Sequence, residues 1–364
     1  MDDLLDQLPI TVDEIQDYQR HEQPILSRSI DGAAFAGMDL SGLVAVDCHF
    51  TNCDFSGADL TDAQFVQCDL RNSRFADAKL DNIVFAATDL SNANIENTTV
   101  LGMQAADSNM QNATFRDAGL ADTVFAKCNL ANSDFSRVVA SKLGSLESSI
   151  DQTSFAGAEL ENFFVTRADL RTVDMSGTHV RIALFADANL SGKDLSGQTW
   201  QHCTFNTAQF EGTNLGSAKL DGSVFNECDF HRANLKGISG ETTCFTKSDL
   251  QGVDLSGSNL NMANFANASL AGANFSGSTL YSAVFLEADC RAVLFERCQM
   301  EQAEMSHADL SGANLSASSF FNTKLHGAKD DKNMMLGTSG NTIDTDPERL
   351  VAELYRPNLA MLTH

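Results

Sequence analysis

Hydrophobic and polar positions along this chain follow a period of five residues. Residues 255–280 read LSGSNLNMANFANASLAGANFSGSTL, with a large apolar residue at every fifth position. The same frame runs from Phe35 to Leu325, where 21 of the 59 positions divisible by five are Phe, 22 are Leu and ten are Ile, Val, Met or Trp. The remaining positions in this frame are Ala45, Ala105, Ala140, Ser145, Gly240 and Cys290.

A period of five fits neither regular secondary structure on its own. Along an α-helix, a step of five residues rotates the side chain by about 500°, so the large residues would be spread around the circumference. Along a β-strand, an odd step moves the side chain to the opposite face each time. The period does fit a square coil in which each five-residue segment forms one side, because every large residue then points to the axis. The pattern therefore predicts a repeat architecture.

A square coil of four segments contains twenty residues, and successive coils pair through backbone hydrogen bonds at a spacing of about 4.8 Å. The frame predicts roughly 15 such coils, and parallel crossover connections favour a right-handed coil. The position two residues before each large residue is small. Because the nine cysteines form no CxxC pair, we interpret those at the small position as compact buried fillers rather than disulfides or zinc ligands. They are Cys48, Cys53, Cys68, Cys128, Cys203, Cys228 and Cys298.

The segments CDFSGADLTDAQF and GANFSGSTL resemble the A(D/N)LXX consensus of pentapeptide repeat proteins. The resemblance implies an all-β fold, the right-handed quadrilateral parallel β-helix, over residues 30–328. It carries little information about function, because one fold can serve many functions.

Short helices are predicted to cap both ends of the β-helix. In residues 1–29, Thr11 and Glu14 have the spacing of a capping box. In residues 329–364, Thr345 and Glu348 have the same spacing, with Pro347 just inside the predicted helix. Residues 329–344 are expected to form a flexible connector.

Function is expected on the outside of the coil, since the axis is filled. One outer face is apolar and is interpreted as a surface for a protein partner or for a second copy of the chain. The alternative interpretation is that valine suits strands, or that the terminal segments cover this face. The residues of this predicted apolar face are Val44, Val46, Val66, Val84, Val124, Leu146, Phe164, Leu184, Val224, Val284 and Leu286.

Another face carries a column of aspartates, each directly before an inward residue. Asp in this position is typical of turn hydrogen bonds. The alternative is that a line of negative charge imitates the backbone of DNA for a basic groove. The column contains Asp69, Asp89, Asp169, Asp229, Asp249, Asp289 and Asp309.

Charge and motif content restrict the function further. The formal net charge of −25 disfavours direct binding of nucleic acid and of anionic membranes and favours a basic protein partner. The acidic start MDDLLDQLPI and the lack of a long apolar run predict a cytoplasmic protein. The eight histidines form no HExxH motif, although His307 and His326 would lie on neighbouring coils, where a metal site is a minor alternative. We expect no enzyme activity, no cofactor and no metal.

The sequence therefore predicts a non-catalytic acidic scaffold or adaptor. The resemblance implies two more specific alternatives. Proteins of the Qnr, MfpA and AlbG group imitate B-DNA, bind DNA gyrase and modulate its sensitivity to inhibitors. That hypothesis, which extends to other topoisomerases, is weakened because those proteins are shorter and several carry loops that would interrupt the frame. Other pentapeptide repeat proteins are accessory components or effectors of bacterial secretion systems.

Overall fold

The computed structural model describes residues 8–330 and 337–354. The chain is a nearly all-β parallel solenoid of about 16 turns, in agreement with the predicted fold class. It divides into two compact units, Met1–Ala208 and Gln209–His364. Among the described residues, no helix is both long and apolar enough to cross a membrane.

The first unit contains helix α1 (Val12–Arg20) and most of the strands. Its strands are β1 (Leu8–Pro9), β2 (Ile25–Leu26), β3 (Arg28–Ser29), β4 (Val44–Val46), β5 (Gln64–Val66), β6 (Val84–Ala86), β7 (Thr99–Leu101), β8 (Gln104–Ala106), β9 (Gly119–Ala126), β10 (Val139–Leu146), β11 (Glu159–Thr166), β12 (His179–Ala186), β13 (Thr199–Gln201) and β14 (Thr204–Asn206). The second unit contains β15 (Val224–Asn226), β16 (Ser319–Lys324), β17 (Ser339–Ile343) and helix α2 (Pro347–Leu354).

Strand pairing within the units follows an offset of twenty residues. In the first unit β4 pairs in parallel with β5, and Ala45 lies opposite Phe65. In the second unit isolated parallel bridges follow the same offset, for example Asp229 with Asp249. The twenty-residue coil predicted from the five-residue period is therefore confirmed.

The inward positions form the core of each unit. In the first unit the rings of Phe35, Phe55 and Phe75 stack with centroid distances of 4.8 and 5.0 Å. In the second unit Phe265 stacks on Phe245 at 5.1 Å. Such parallel stacking at one coil spacing explains why large rings recur at fixed positions.

Small residues at inward positions remain within the register. Ala140 and Ser145 are buried in the first unit, and so is Gly240 in the second. A Cβ added at Gly240 would lie 3.1 Å from Leu260 Cδ2 and 3.2 Å from Thr243 Oγ1. Neighbouring side chains therefore fill the space at Gly240, and its backbone stays in the coil.

At the small positions, buried serines, threonines and cysteines donate hydrogen bonds to backbone carbonyls. Ser73 Oγ donates to the carbonyl of Phe50 at 2.8 Å, and Cys68 Sγ donates to that of Ala45 at 3.4 Å. Burial raises the pKa of Cys53 to about 11 and that of Cys203 to about 12, so these thiols are neutral at physiological pH. The seven cysteines at the small position are buried and form no disulfide, as expected for fillers.

Left-handed backbone at the corners lets the chain turn between sides. Asn occupies many corners, for example Asn52 with φ 56° and Asn72 with φ 60°. Their amides form a ladder, since Asn72 Nδ2 donates to Asn52 Oδ1 at 3.2 Å. Ile182 occupies such a corner with φ 57°, where a β-branched side chain is strained.

We expect Ile182→Asn to stabilise the first unit by roughly 1 kcal/mol, because Asn tolerates the left-handed region better than Ile. The new amide would also lie one coil from Asn162, which occupies the matching corner with φ 54°. Chemical denaturation followed by circular dichroism measures the gain. Ile182→Val keeps the β-branch and should give no gain, and an Asn variant no more stable than the Val variant would contradict this account.

The N-terminal cap contains the predicted helix. In α1, Thr11 Oγ1 accepts a hydrogen bond from the Glu14 backbone N–H at 3.3 Å, and Glu14 Oε2 accepts one from the Thr11 N–H at 2.8 Å. The predicted capping box is thus present. The coil starts earlier than residue 30, however, because Ile25 in β2 is buried and pairs with Ala45.

The C-terminal region differs from its prediction in two respects. Within the predicted connector, β17 pairs in parallel with β16. The prediction of a capping box formed by Thr345 and Glu348 was wrong. Because Pro347 is the first residue of α2, the cap falls on Asp346, whose Oδ1 accepts the Glu348 N–H at 3.0 Å. Thr345 Oγ1 instead accepts the Gly327 N–H at 3.1 Å. Residues 331–336 and 355–364 lie outside the described part of the chain.

Candidate partner-binding surfaces

The residues of the predicted apolar face point away from the axis. In β4, Ala45 is buried, and Val44 and Val46 are half-buried on either side of it. The outward placement follows from strand alternation about each inward residue. The other residues named for this face are half-buried or exposed in the same way: Val66, Val84, Val124, Leu146, Phe164 and Leu184 in the first unit, and Val224, Val284 and Leu286 in the second.

The apolar face is most continuous on β9–β12 of the first unit. Phe164 lies opposite Leu184, and the exposed fractions of Leu146 and Phe164 are 41% and 40%. On the preceding strands, Gln64 and Gln104 alternate with the valines, so the apolar surface is interrupted there. In the second unit, the same column ends in an ion pair between Glu304 and Lys324 at 2.9 Å.

The aspartates of the acidic column all take part in turns. Each side chain accepts the backbone N–H of the residue two positions later, for example His231 to Asp229 at 2.8 Å and Gln251 to Asp249 at 3.1 Å. Asp89 accepts from Ser91 at 2.9 Å. The same contact is made by Asp69, Asp169, Asp289 and Asp309. The column therefore has a local structural role.

Cations neutralise part of this column. Arg171 donates to both carboxylate oxygens of Asp169. The hydrogen bond from Arg171 holds the pKa of Asp169 below its ordinary value. A hydrogen bond from Arg291 lowers the pKa of Asp289 in the same way. Asp69 and Asp309 form ion pairs with Arg71 and Lys329. The charge that this column presents to a partner is thus smaller than its sequence suggests.

The histidines singled out in the sequence meet a glutamate of α2. Glu353 Oε2 lies 3.1 Å from the Nε2 atoms of both His307 and His326. One potential ligand atom from each of the three residues lies within 4.8 Å of the others. These residue types are common metal ligands, so the contacts of the ring nitrogens decide between a metal site and a hydrogen-bonded cluster.

The hydrogen bonds of His326 favour the cluster without a metal. Its Nδ1 accepts the backbone N–H of Asp346 at 3.1 Å, which places the ring proton of the neutral imidazole on Nε2. Nε2 then donates to Glu353, whereas metal binding would require a free lone pair on that atom. His326 is buried, and Arg349 donates to the other oxygen of Glu353 at 2.6 Å. The cluster therefore attaches α2 to the coil.

A groove of about 630 Å³ lies on a face of the first unit where the sequence predicts no site. We call it the lateral groove. It is lined by Asp81 and by residues of β7, the first halves of β9–β12, and β13. Leu101 and Val139 are its exposed apolar side chains, with exposed fractions of 51% and 58%.

Two features of the sequence mark the lateral groove in retrospect. Gly119 and Ala121 are small residues at the two outward positions on either side of Leu120, and Ala140 is a small inward residue on the next strand. Small side chains at these positions lower the floor of the surface between Leu101 and Val139. Each residue taken alone fits the repeat, so the groove becomes visible only when the strands are stacked.

Twenty-residue coils with stacked inward rings define a solenoid protein built from five-residue segments. The family models agree with this class. A pentapeptide repeat region is matched at residues 45–125. Pentapeptide repeats, described in eight copies, are matched at residues 208–239, 248–285 and 288–327. The chain belongs to the pentapeptide repeat family.

Solved structures of pentapeptide repeat proteins are among those similar to this chain. QnrB1, a plasmid-mediated fluoroquinolone resistance protein, is 24% identical over 55% of this chain and 88% of its own, with a TM-score of 0.27. HetL from the cyanobacterium Nostoc, involved in regulating heterocyst differentiation, is 21% identical over 72% of this chain and 96% of its own, with a TM-score of 0.22. No curated protein matches the chain.

Proposed function

We propose that the protein is a non-catalytic scaffold or adaptor that binds other proteins through its outer faces. The observation that carries the proposal is the exposed apolar surface on β9–β12, where Leu146, Phe164 and Leu184 lie close together on neighbouring strands. Apolar surface of this kind marks interaction sites in soluble proteins. Membership of the pentapeptide repeat family supports a repeat scaffold as the general class.

The interior supports the same proposal by leaving little room for chemistry. Inward positions are filled by stacked rings, and buried cysteines such as Cys203 have a raised pKa, which disfavours the reactive thiolate. His307 and His326 are engaged with Glu353. Because the interior is filled and these histidines are engaged, we expect the protein to act by binding other proteins at its outer surface.

The alternative of DNA mimicry has less support. A mimic of the DNA backbone needs free negative charges along one face. In the acidic column, Asp69, Asp169 and Asp289 are held by arginines, and all seven aspartates accept turn hydrogen bonds. We therefore do not include DNA gyrase or another topoisomerase in the proposal. A secretion component is likewise not included, because the described contacts do not select one partner over another.

Charge on the apolar face is expected to abolish partner binding. In a quantitative affinity capture from the cells that make the protein, Val84→Glu combined with Val124→Glu should reduce recovery of the bound partner by about tenfold or more. Val84 and Val124 are half-buried and outward, so the variant should remain folded, which circular dichroism verifies.

The matched control is Gln64→Glu combined with Gln104→Glu, which adds two charges to the same column without removing an apolar side chain. The valine variant should lose the partner and the glutamine variant should keep most of it. Unchanged capture by both variants, with unchanged sedimentation of the protein alone, would refute a partner or a homodimer at this face.

A further inference from the structure

We propose that the lateral groove binds a protein segment with an apolar centre and a Lys or Arg near each end. The inference rests on the proposed function, because it specifies the kind of partner that the scaffold holds. The apolar face on the second halves of β9–β12 is a separate surface, so the two proposals can fail independently.

The floor of the lateral groove is apolar and accessible. Leu101 and Val139 are each more than half exposed, and Gly119 and Ala121 lie on the strand between them. Two large exposed apolar side chains on either side of small ones form a recess that water solvates poorly. An apolar centre in the bound segment would cover these side chains.

The charges around the groove favour a basic segment. Most charged residues on this face are paired with one another, as in Lys79 with Asp59 and Arg181 with Glu161. Asp81 lines one end of the groove and Glu159 lines it on β11, with β12 and β13 beyond, and neither carboxylate has an ion-pair partner among the described residues. Asp81 Oδ1 accepts the Leu101 N–H at 3.1 Å. Two unpaired carboxylates beside an apolar floor attract a segment with cationic ends.

The positions of these two carboxylates set the length of the segment. Asp81 and Glu159 are separated by four coil steps, or roughly 19 Å at the spacing of paired strands. An extended peptide covers that distance with about six residues, and a helix with about thirteen. The cationic side chains should therefore be about this far apart.

A second copy of this chain is a poor occupant. Each copy carries a net charge of −25, and a symmetric contact through the groove would bring Asp81 and Glu159 of both copies together. Since Lys79 and Arg181 on this face are already paired with Asp59 and Glu161, such a contact places like charges near one another. A basic partner is favoured on the same grounds.

The inference is tested with the full chain and two fluorescein-labelled peptides. The first probe has the sequence Lys-Leu-Ala-Val-Ala-Leu-Lys, and the second has Glu in place of both Lys residues. Fluorescence anisotropy should show saturable binding of the Lys peptide that weakens as ionic strength rises. The Glu peptide should bind at least about tenfold more weakly.

Variants locate the binding site. Leu101→Ser combined with Val139→Ser removes the apolar floor and should weaken binding of the Lys peptide by about tenfold or more. Asp81→Asn combined with Glu159→Gln removes the two charges. This variant should bind the Lys peptide more weakly, and its binding should depend less on salt concentration. Val84→Ser combined with Val124→Ser makes the same apolar-to-polar change on the apolar face and should leave peptide binding unchanged. Thermal denaturation verifies that all variants are folded.

Several results would overturn the inference: no saturable binding of the Lys peptide, equal binding of both peptides, or unchanged binding in the Leu101 and Val139 variant. If sedimentation showed that the protein is a dimer, and the Leu101 and Val139 variant were a monomer, the occupant of the groove would be a second copy of the chain. If the groove variant keeps the Lys peptide while Val84→Glu with Val124→Glu loses its captured partner, the groove is wrong and the proposed scaffold function stands.

Discussion

Phe265→Ala is expected to lower the free energy of unfolding by about 3–5 kcal/mol. Phe265 is fully buried, and its ring lies between Phe245 and Phe285 at centroid distances of 5.1 and 5.0 Å. Phe275 makes an edge contact with it at 5.4 Å. The paired backbone above and below prevents collapse, so truncation leaves a cavity between the two neighbouring rings.

The matched control is Phe321→Ala, because Phe321 in the same unit is 55% exposed. Truncation of this exposed ring should lower the free energy of unfolding by about 1 kcal/mol or less. Urea denaturation gives the two free energies, and hydrogen exchange shows whether the loss centres on residues 245–285, since repeat proteins open locally. Equal destabilisation by both substitutions would contradict the central role of the inward stack.

Inward and outward positions could be predicted from the sequence because they depend only on local backbone geometry. Once Phe85 and Phe125 are placed inward, strand alternation places Val84 and Val124 outward, as observed. The same reasoning applies to the α1 capping box, whose two hydrogen bonds join residues three positions apart. Local spacing is sufficient wherever the contacts themselves are local.

The lateral groove and the C-terminal attachment depend on longer distances. The groove runs from Asp81 to β13, and its depth depends on which side chains stack on successive strands. The contact of His326 with Glu353 depends on where α2 packs. Nor does the sequence of β17 show the large apolar residue of the repeat, since Gly340 occupies that position opposite Phe320. A five-residue period cannot reveal any of these features.

Gly340→Ala is expected to separate β17 from β16. Gly340 has φ 94°, and a Cβ at this position would lie on the carbonyl oxygen of Phe320. No rotation of a side chain can relieve a clash between a Cβ and backbone. The pairing of Ser339 N with Ser318 O at 3.0 Å and of Leu325 N with Ile343 O at 2.9 Å should therefore be lost.

Hydrogen exchange of the Ser339 and Leu325 amides measures this separation, and we expect it to accelerate by about a hundredfold. Gly337→Ala is the matched control. Gly337 also has positive φ, 69°, but a Cβ there would meet no atom of the described residues within 4 Å. The control should cost only the backbone strain of roughly 1 kcal/mol and leave the pairing intact. Because β17 precedes α2, Gly340→Ala should also weaken the contact of Glu353 with His326. If the Ser339 and Leu325 amides stayed protected from exchange in the Gly340→Ala variant, the close approach at Gly340 would be disproved.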